Sequence, residues 1–195
     1  MNPIYSAALE VQAVCEASAW RFCFIGGVAV QRWGEPRLTA DVDLTLFTGF
    51  GREEQFIASL AGQFALRRPD AVPFALRTRV LLLRASNGVG LDVALGASPF
   101  EVASIERSSP FPIAPGQALI TCSAEDLIVH KTIANREKDW LDVESVLIRQ
   151  RGKLDLELVR TTLRPLLELK EEPELAHLLE HKITTCARKQ RRQQR

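Results

Sequence analysis

The chain has 195 residues, with 25 Lys plus Arg against 24 Asp plus Glu and 46% hydrophobic residues, an ordinary globular composition that excludes collagenous, disordered and disulfide-scaffold classes. No run approaches the roughly 20 apolar residues of a bilayer crossing, and Glu10 falls where a signal peptide needs an apolar stretch. A cytoplasmic protein with no membrane partner is expected, whose four widely spaced cysteines, Cys15, Cys23, Cys122 and Cys186, are reduced, packed thiols.

Asn2 and Pro3 open a helix over residues 3–19, Pro3 standing where its missing N–H costs nothing. Residues 21–25 read as a short strand ending at Gly26-Gly27, and residues 28–33 as a helix that Gly34 and Pro36 stop. From 39 to 47 the sequence alternates, with Ala40, Val42, Leu44 and Leu46 on one parity and Thr39, Asp41, Asp43 and Thr45 on the other, which marks a half-buried strand. A helix is expected over 53–66, then strands over 79–84 and 91–95 joined by a turn at Asn87-Gly88. Residues 97–122 are rich in Pro and Ser, with a short strand near 118–121. Ser123, with Asp126 three positions later, caps a long helical stretch reaching toward Arg149, and helices over 154–169 and 173–183 follow.

The expected organisation is a mixed α/β (α+β) core over 1–122, a mixed sheet flanked by helices, then a helical domain over 123–186 and a disordered basic tail over 187–195. The tail holds five positive residues and no acidic one. It reads as a solvated end or as a handle for RNA or DNA.

Asp41 and Asp43, at i and i+2 on a strand, send their carboxylates from one face while Val42 and Leu44 enter the core. Like charges so close repel unless a cation bridges them, and Mg²⁺ accepts one or two carboxylates together with substrate phosphates. Asp92 repeats the pattern, sharing a parity with small Ala94 while Leu91, Val93 and Leu95 take the other. Three carboxylates on neighbouring strands can hold two divalent ions that activate an attacking oxygen and stabilise leaving pyrophosphate. Gly26 and Gly27, between a strand and a helix, offer bare amides to phosphate, a weak signal by itself.

The run Gly26-Gly27-Val28-Ala29, then Gly34, Arg37 and Thr39, then Asp41-Val42-Asp43-Leu44, with Asp92 as third carboxylate, resembles the signature of the polymerase-β-like nucleotidyltransferase superfamily, and within it the AbiE-type toxin nucleotidyltransferases. Ser123-Ala124-Glu125-Asp126-Leu127, Lys131, Arg136-Glu137-Lys138-Asp139 and Asp142 are similar to that group's helical motif. The resemblance covers roughly residues 25–147. It implies Mg²⁺-dependent transfer of a nucleoside monophosphate from a nucleoside triphosphate to an acceptor, with RNA, such as a tRNA end, as the toxin-like acceptor and an antitoxin as protein partner. Asp41 and Asp43 would bind metal, and Asp92 would position or deprotonate the acceptor hydroxyl. Gly26 and Gly27 would cradle the triphosphate beside Arg37 and Thr39. Lys131 would contact phosphate, and Asp139 or Asp142 would orient it or the nucleotide, in a cleft closed by the helical domain. In an unbroken helix Lys131, Asn135, Asp139 and Asp142 fall along one face. Gly27 departs from the Ser that many superfamily members carry.

Other readings stay open. The acids can be a solvated sheet face, Lys131 an ion-pair partner of Asp126 or Asp142, and the acceptor a small hydroxylated molecule such as an aminoglycoside. The fold can also serve as a nucleotide-binding module without turnover. His177 and His181, one helical turn apart, match a reversed zinc-protease spacing, but no acidic residue follows His181 to complete a zinc site.

Overall fold

The computed structural model describes residues 2–193, with side chains described for residues 2–188. In chain order the elements are α1 (Pro3–Ala17), β1 (Phe22–Phe24), α2 (Gly26–Trp33), β2 (Asp41–Phe47), α3 (Glu53–Ala61), β3 (Ala65–Leu66), α4 (Ala71–Thr78), β4 (Val80–Arg84), β5 (Gly90–Gly96), α5 (Pro99–Glu106), β6 (Ser109–Ala114), β7 (Gln117–Thr121), α6 (Ala124–Ala134), α7 (Glu137–Arg149), α8 (Leu156–Lys170) and α9 (Glu174–Gln193). They form two compact units: residues up to Val28 with Leu38–Cys122, and Ala29–Arg37 with the residues from Ser123 onward. Among the described residues no helix is long and apolar enough to cross a membrane, and all four cysteines are buried thiols outside any disulfide.

The first unit is built on a mixed sheet in the order β3-β4-β5-β2-β1-β7-β6. β2 runs parallel to β5 and β1 parallel to β7, and the other neighbours are antiparallel. α1 starts where expected because Asn2 Oδ1 accepts the Ile4 N–H at 2.9 Å. Its buried residues, Ile4, Ala7, Ala8, Val11 and Cys15, recur at three and four positions. That stripe joins Val42, Leu44, Leu46, Leu81, Leu83, Leu91, Val93 and Leu95 of the central strands and Ile57, Leu60, Ala71 and Ala75 of α3 and α4 in one core. β1 and β7 are paired only at Phe24 and Thr121, so the backbone of β7 needs other partners. Gln12, buried on α1, supplies them: its Oε1 accepts the Ile120 N–H at 3.1 Å and its Nε2 donates to the Ala118 carbonyl at 3.0 Å.

Three expectations are corrected. The helix expected over 53–66 ends at Ala61 with Gly62 as its cap, and Ala65–Leu66 instead pair with Leu83 and Arg84 of β4. Residues 71–78, left without an element, form α4, and the Pro- and Ser-rich stretch holds α5 and β6 beside the expected β7. The helical run from Ser123 toward Arg149 is two helices, broken where Asn135 adopts φ 52 at the end of α6. Asn135 therefore leaves the face expected to carry it, and its Oδ1 accepts the Trp140 Nε1–H at 2.8 Å.

In the helical unit α6 packs on α7 and α8, and α7 on α9, around Leu127, Ile128, Val143, Val146, Val159, Leu163, Leu167 and Leu179. α9 continues to Gln193, so the backbone is helical into the segment read as a disordered tail. Ala, Arg, Lys and Gln are good helix formers, and neither Gly nor Pro interrupts them. The tail side chains beyond Arg188 lie outside the described residues.

Candidate active site

β2 and β5 pair in parallel with Asp43 beside Asp92 and Asp41 beside Gly90. Because side chains alternate across a strand, burying Val42, Leu44, Leu91 and Val93 on one face turns all three aspartates to the other. The arrangement expected from sequence is thus present: a third carboxylate on the strand adjoining the first two.

The glycine turn adjoins this face. Gly26 has φ +55, a conformation that disfavours an L side chain, and a Cβ there would lie 2.1 Å from Asp43 Oδ2. A Cβ on Gly27 would lie 2.3 Å from Thr39 Oγ1. The absent side chains thus admit the acid strand itself, and the Ile25 N–H donates to the Asp43 carbonyl at 3.0 Å. Gly88 has φ +86 with nothing within 4 Å of its missing Cβ. Ala at Gly88 therefore carries left-handed strain alone, about 1 kcal/mol, and is expected to lower the thermal midpoint by about 2–4 °C. Gly26→Ala adds the Asp43 collision and should lower it further; equal shifts would show that Asp43 yields at no cost.

No motif or periodicity in the sequence singles out Arg67. Its Nη1 donates to Asp41 Oδ1 at 3.2 Å and its Nη2 to Asp92 Oδ1 at 2.5 Å. The residue reaches them because its N–H extends the sheet, donating to the Leu82 carbonyl at 3.0 Å beyond β3. Gly90 makes room: a Cβ there would stand 2.1 Å from Asp41 Oδ1 and 2.4 Å from Arg67 Nη1. Both obstructions are ends of side chains. Gly90→Ala is accordingly expected to cost under about 1 kcal/mol in stability while displacing the Arg67–Asp41 contact, a change readable in thermal melts and in metal titration.

Burial pushes the Asp92 carboxyl above its ordinary range, and the charges of Asp43 and Asp41 add to the rise while Arg67 opposes it. Among the described residues no group of three or more His, Cys, Asp or Glu side chains is gathered as a ready metal cage. The donor set nonetheless fits a hard divalent cation: three carboxylates share a face, and a guanidinium already lies against two of them.

The remaining candidate residues lie in the helical unit. Lys131, 7% exposed, donates to Asp139 Oδ1 at 2.8 Å and pairs with Asp142 Oδ2 at 2.7 Å. Arg37 grips Asp142 with two bonds of 2.6 and 2.7 Å, and Arg136 Nε meets Asp139 Oδ2 at 2.6 Å. The result is an alternating chain Arg37–Asp142–Lys131–Asp139–Arg136. α7 positions Arg37 by strapping the segment before it, since Ser145 Oγ accepts the Glu35 N–H at 3.1 Å and Arg149 donates to the Gly34 carbonyl. Burial is the largest influence on Asp139 and Asp142 and would raise both, but hydrogen bonds from Arg136 and Lys131 on one and Arg37 and Lys131 on the other outweigh it. Both carboxyls are held below their ordinary range. A groove of about 240 Å³ between α8 and α9, lined by Leu163, Leu167, Pro173, Ala176 and Leu179 among others, contains none of the candidate residues.

No protein-family model and no curated protein sequence matches the chain. Solved structures share its architecture, two of them over nearly the whole chain. One is an antigenic nucleotidyltransferase-like protein from Paracoccidioides brasiliensis, 17% identical with a TM-score of 0.51, covering 92% of this chain and 93% of that one. The other is the antibiotic-resistance factor ANT(2'')-Ia, 15% identical with a TM-score of 0.55, covering 89% of this chain and 96% of that one. The fold is that of the nucleotidyltransferases.

Proposed function

We propose that the chain is a divalent-cation-dependent nucleotidyltransferase that moves a nucleoside monophosphate from a nucleoside triphosphate to an acceptor hydroxyl. The observation that carries this reading is the face shared by Asp41, Asp43 and Asp92 on the parallel pair β2 and β5, on a fold of this class. Asp41, Asp43 and Asp92 would hold Mg²⁺, as one or two ions, which supplies charge neutralisation for the triphosphate and the leaving pyrophosphate. Asp92 would position the acceptor hydroxyl or take its proton as that oxygen bonds to the α-phosphorus and the bond to the β-phosphate breaks. Gly26 and Gly27 open α2, and the first-turn amides and dipole of a helix favour phosphate. Thr39, beside Gly27, lies at the same turn. In the helical unit Arg37, Lys131, Asp139 and Asp142 form an arginine-ended chain, whose cations suit a triphosphate and whose acids orient them.

For the acceptor, the toxin-type motif and the basic segment 187–195 support RNA, such as a tRNA end, with an antitoxin as partner. A small hydroxylated molecule such as an aminoglycoside is supported by the fold shared with an antibiotic-resistance factor. The test is label transfer from each of the four radiolabelled nucleoside triphosphates, with Mg²⁺, to total RNA and to a small-molecule panel. The labelled species decides between the acceptors. Nucleotide binding with no release of pyrophosphate to any acceptor would overturn the transferase reading in favour of an inactive binding module.

A further inference from the structure

We infer that Arg67 is a positioning residue: it holds Asp41 and Asp92 together as a built-in counter-cation and gives up that contact when a divalent cation binds the carboxylates. The inference rests on the metal-dependent reading above and goes beyond it in naming what competes with the metal. Three observations carry it. The guanidinium spans two acids on different strands, at 3.2 and 2.5 Å, where mutual repulsion would otherwise spread the carboxylates that a cation must find assembled. The two arms are unequal: the longer one reaches Asp41, whose side chain is 46% exposed against 30% for Asp92, so the grip on Asp41 is the weaker and gives way first. The backbone of Arg67 is tied to the sheet through the Leu82 carbonyl, while its guanidinium, the far end of a flexible side chain that is 24% exposed, lies over Gly90, which has no side chain to pin it. The side chain can therefore turn without unfolding the strand that carries it.

A guanidinium and a divalent ion are drawn to the same oxygens and repel each other, so the two cannot both sit against Asp41 at full strength. Arg67 thereby keeps the site organised before loading and weakens binding of metal alone.

The test is Mn²⁺ binding to the full chain without nucleotide, read by electron paramagnetic resonance of unbound Mn²⁺. Arg67→Gln removes the competing charge and keeps a hydrogen-bonding head, and is expected to bind Mn²⁺ about tenfold more tightly than the parent chain. Arg67→Lys retains the charge and should stay near the parent. Unchanged or weaker binding by Arg67→Gln would overturn the inference. The parent chain supplies a second measurement should Arg67→Gln not fold: modification of Arg67 by phenylglyoxal, followed by mass spectrometry, should quicken when Mn²⁺ saturates the site. A rate unchanged or slowed by metal would overturn the exchange. An Asp41→Asn, Asp43→Asn control separates the two levels of the argument. If Mn²⁺ binding to the parent is absent or indifferent to that change, the metal reading itself fails; if binding depends on those acids yet ignores Arg67, only the present inference fails.

Discussion

Replacing Asp41 and Asp43 together by Asn is expected to lower nucleotidyl transfer by on the order of 10³-fold or more while leaving the fold intact. The amides keep the size of the carboxylates but cannot neutralise a divalent ion, so the charge stabilisation of the developing pyrophosphate is lost. Stability should hardly move. Neither acid stands in the core assembled by Val42, Leu44 and Leu46, and the partly exposed Arg67–Asp41 pair is worth at most about 1 kcal/mol. Relief of repulsion offsets part of that loss, since Asp41 and Asp43 both push the Asp92 carboxyl upward; in the double variant Asp92 should titrate closer to its ordinary range. The measurements are label transfer, thermal unfolding and NMR titration of Asp92. Transfer retained at even a tenth of the parent rate would place the chemistry elsewhere.

The acid strand was legible from sequence because its information is local. Period-2 alternation from Thr39 to Phe47 dictates which side chains face the core, and two aspartates on the other parity must then stand together. The same parity argument placed Asp92 correctly beside them. Arg67 was not legible for the opposite reason. Glu53, Ile57 and Leu60 extend a helical pattern that nothing before Gly62 contradicts, and only the pairing of Ala65 and Leu66 with β4, a contact distant in sequence, turns the chain so that Arg67 meets the aspartates. α5 was missed although its signal was present: Ser98-Pro99-Phe100-Glu101 is a capping box with proline at the first helical position, and both of its hydrogen bonds form. α4 carries weaker signals, with no side-chain cap at Asp70 and Arg79 rather than glycine in the left-handed position at its end. Lys131, Asp139 and Asp142 were expected on one face of one helix. They meet instead across the break at Asn135, which folds α7 back so that Asp139 and Asp142 both reach the ammonium.

Lys131→Met is expected to produce the largest loss of stability of any single change considered, on the order of 3 kcal/mol, because removing one partner from a buried pair leaves uncompensated charge. Asp139 is fully buried and Asp142 nearly so, and methionine matches the length of the lysine stem, so the loss reports charge rather than volume. Arg136 and Arg37 still grip the two acids, which keeps the effect at the lower end of the usual range. The pH dependence gives the sign. In the parent chain both carboxyls are held below their ordinary range, so they contribute stability that is complete above the unfolded carboxylate pKa and is lost as pH falls through their lowered folded values. Without Lys131 much of that contribution is gone at neutral pH, and the two melting curves should converge as acid protonates both acids. Adding Asp139→Asn and Asp142→Asn to Lys131→Met should recover part of the loss at neutral pH, since no buried charge then goes unpaired. A Lys131→Met chain that melts like the parent yet binds nucleoside triphosphate weakly would instead mean that the ammonium serves phosphate and that its two carboxylates need only their arginines.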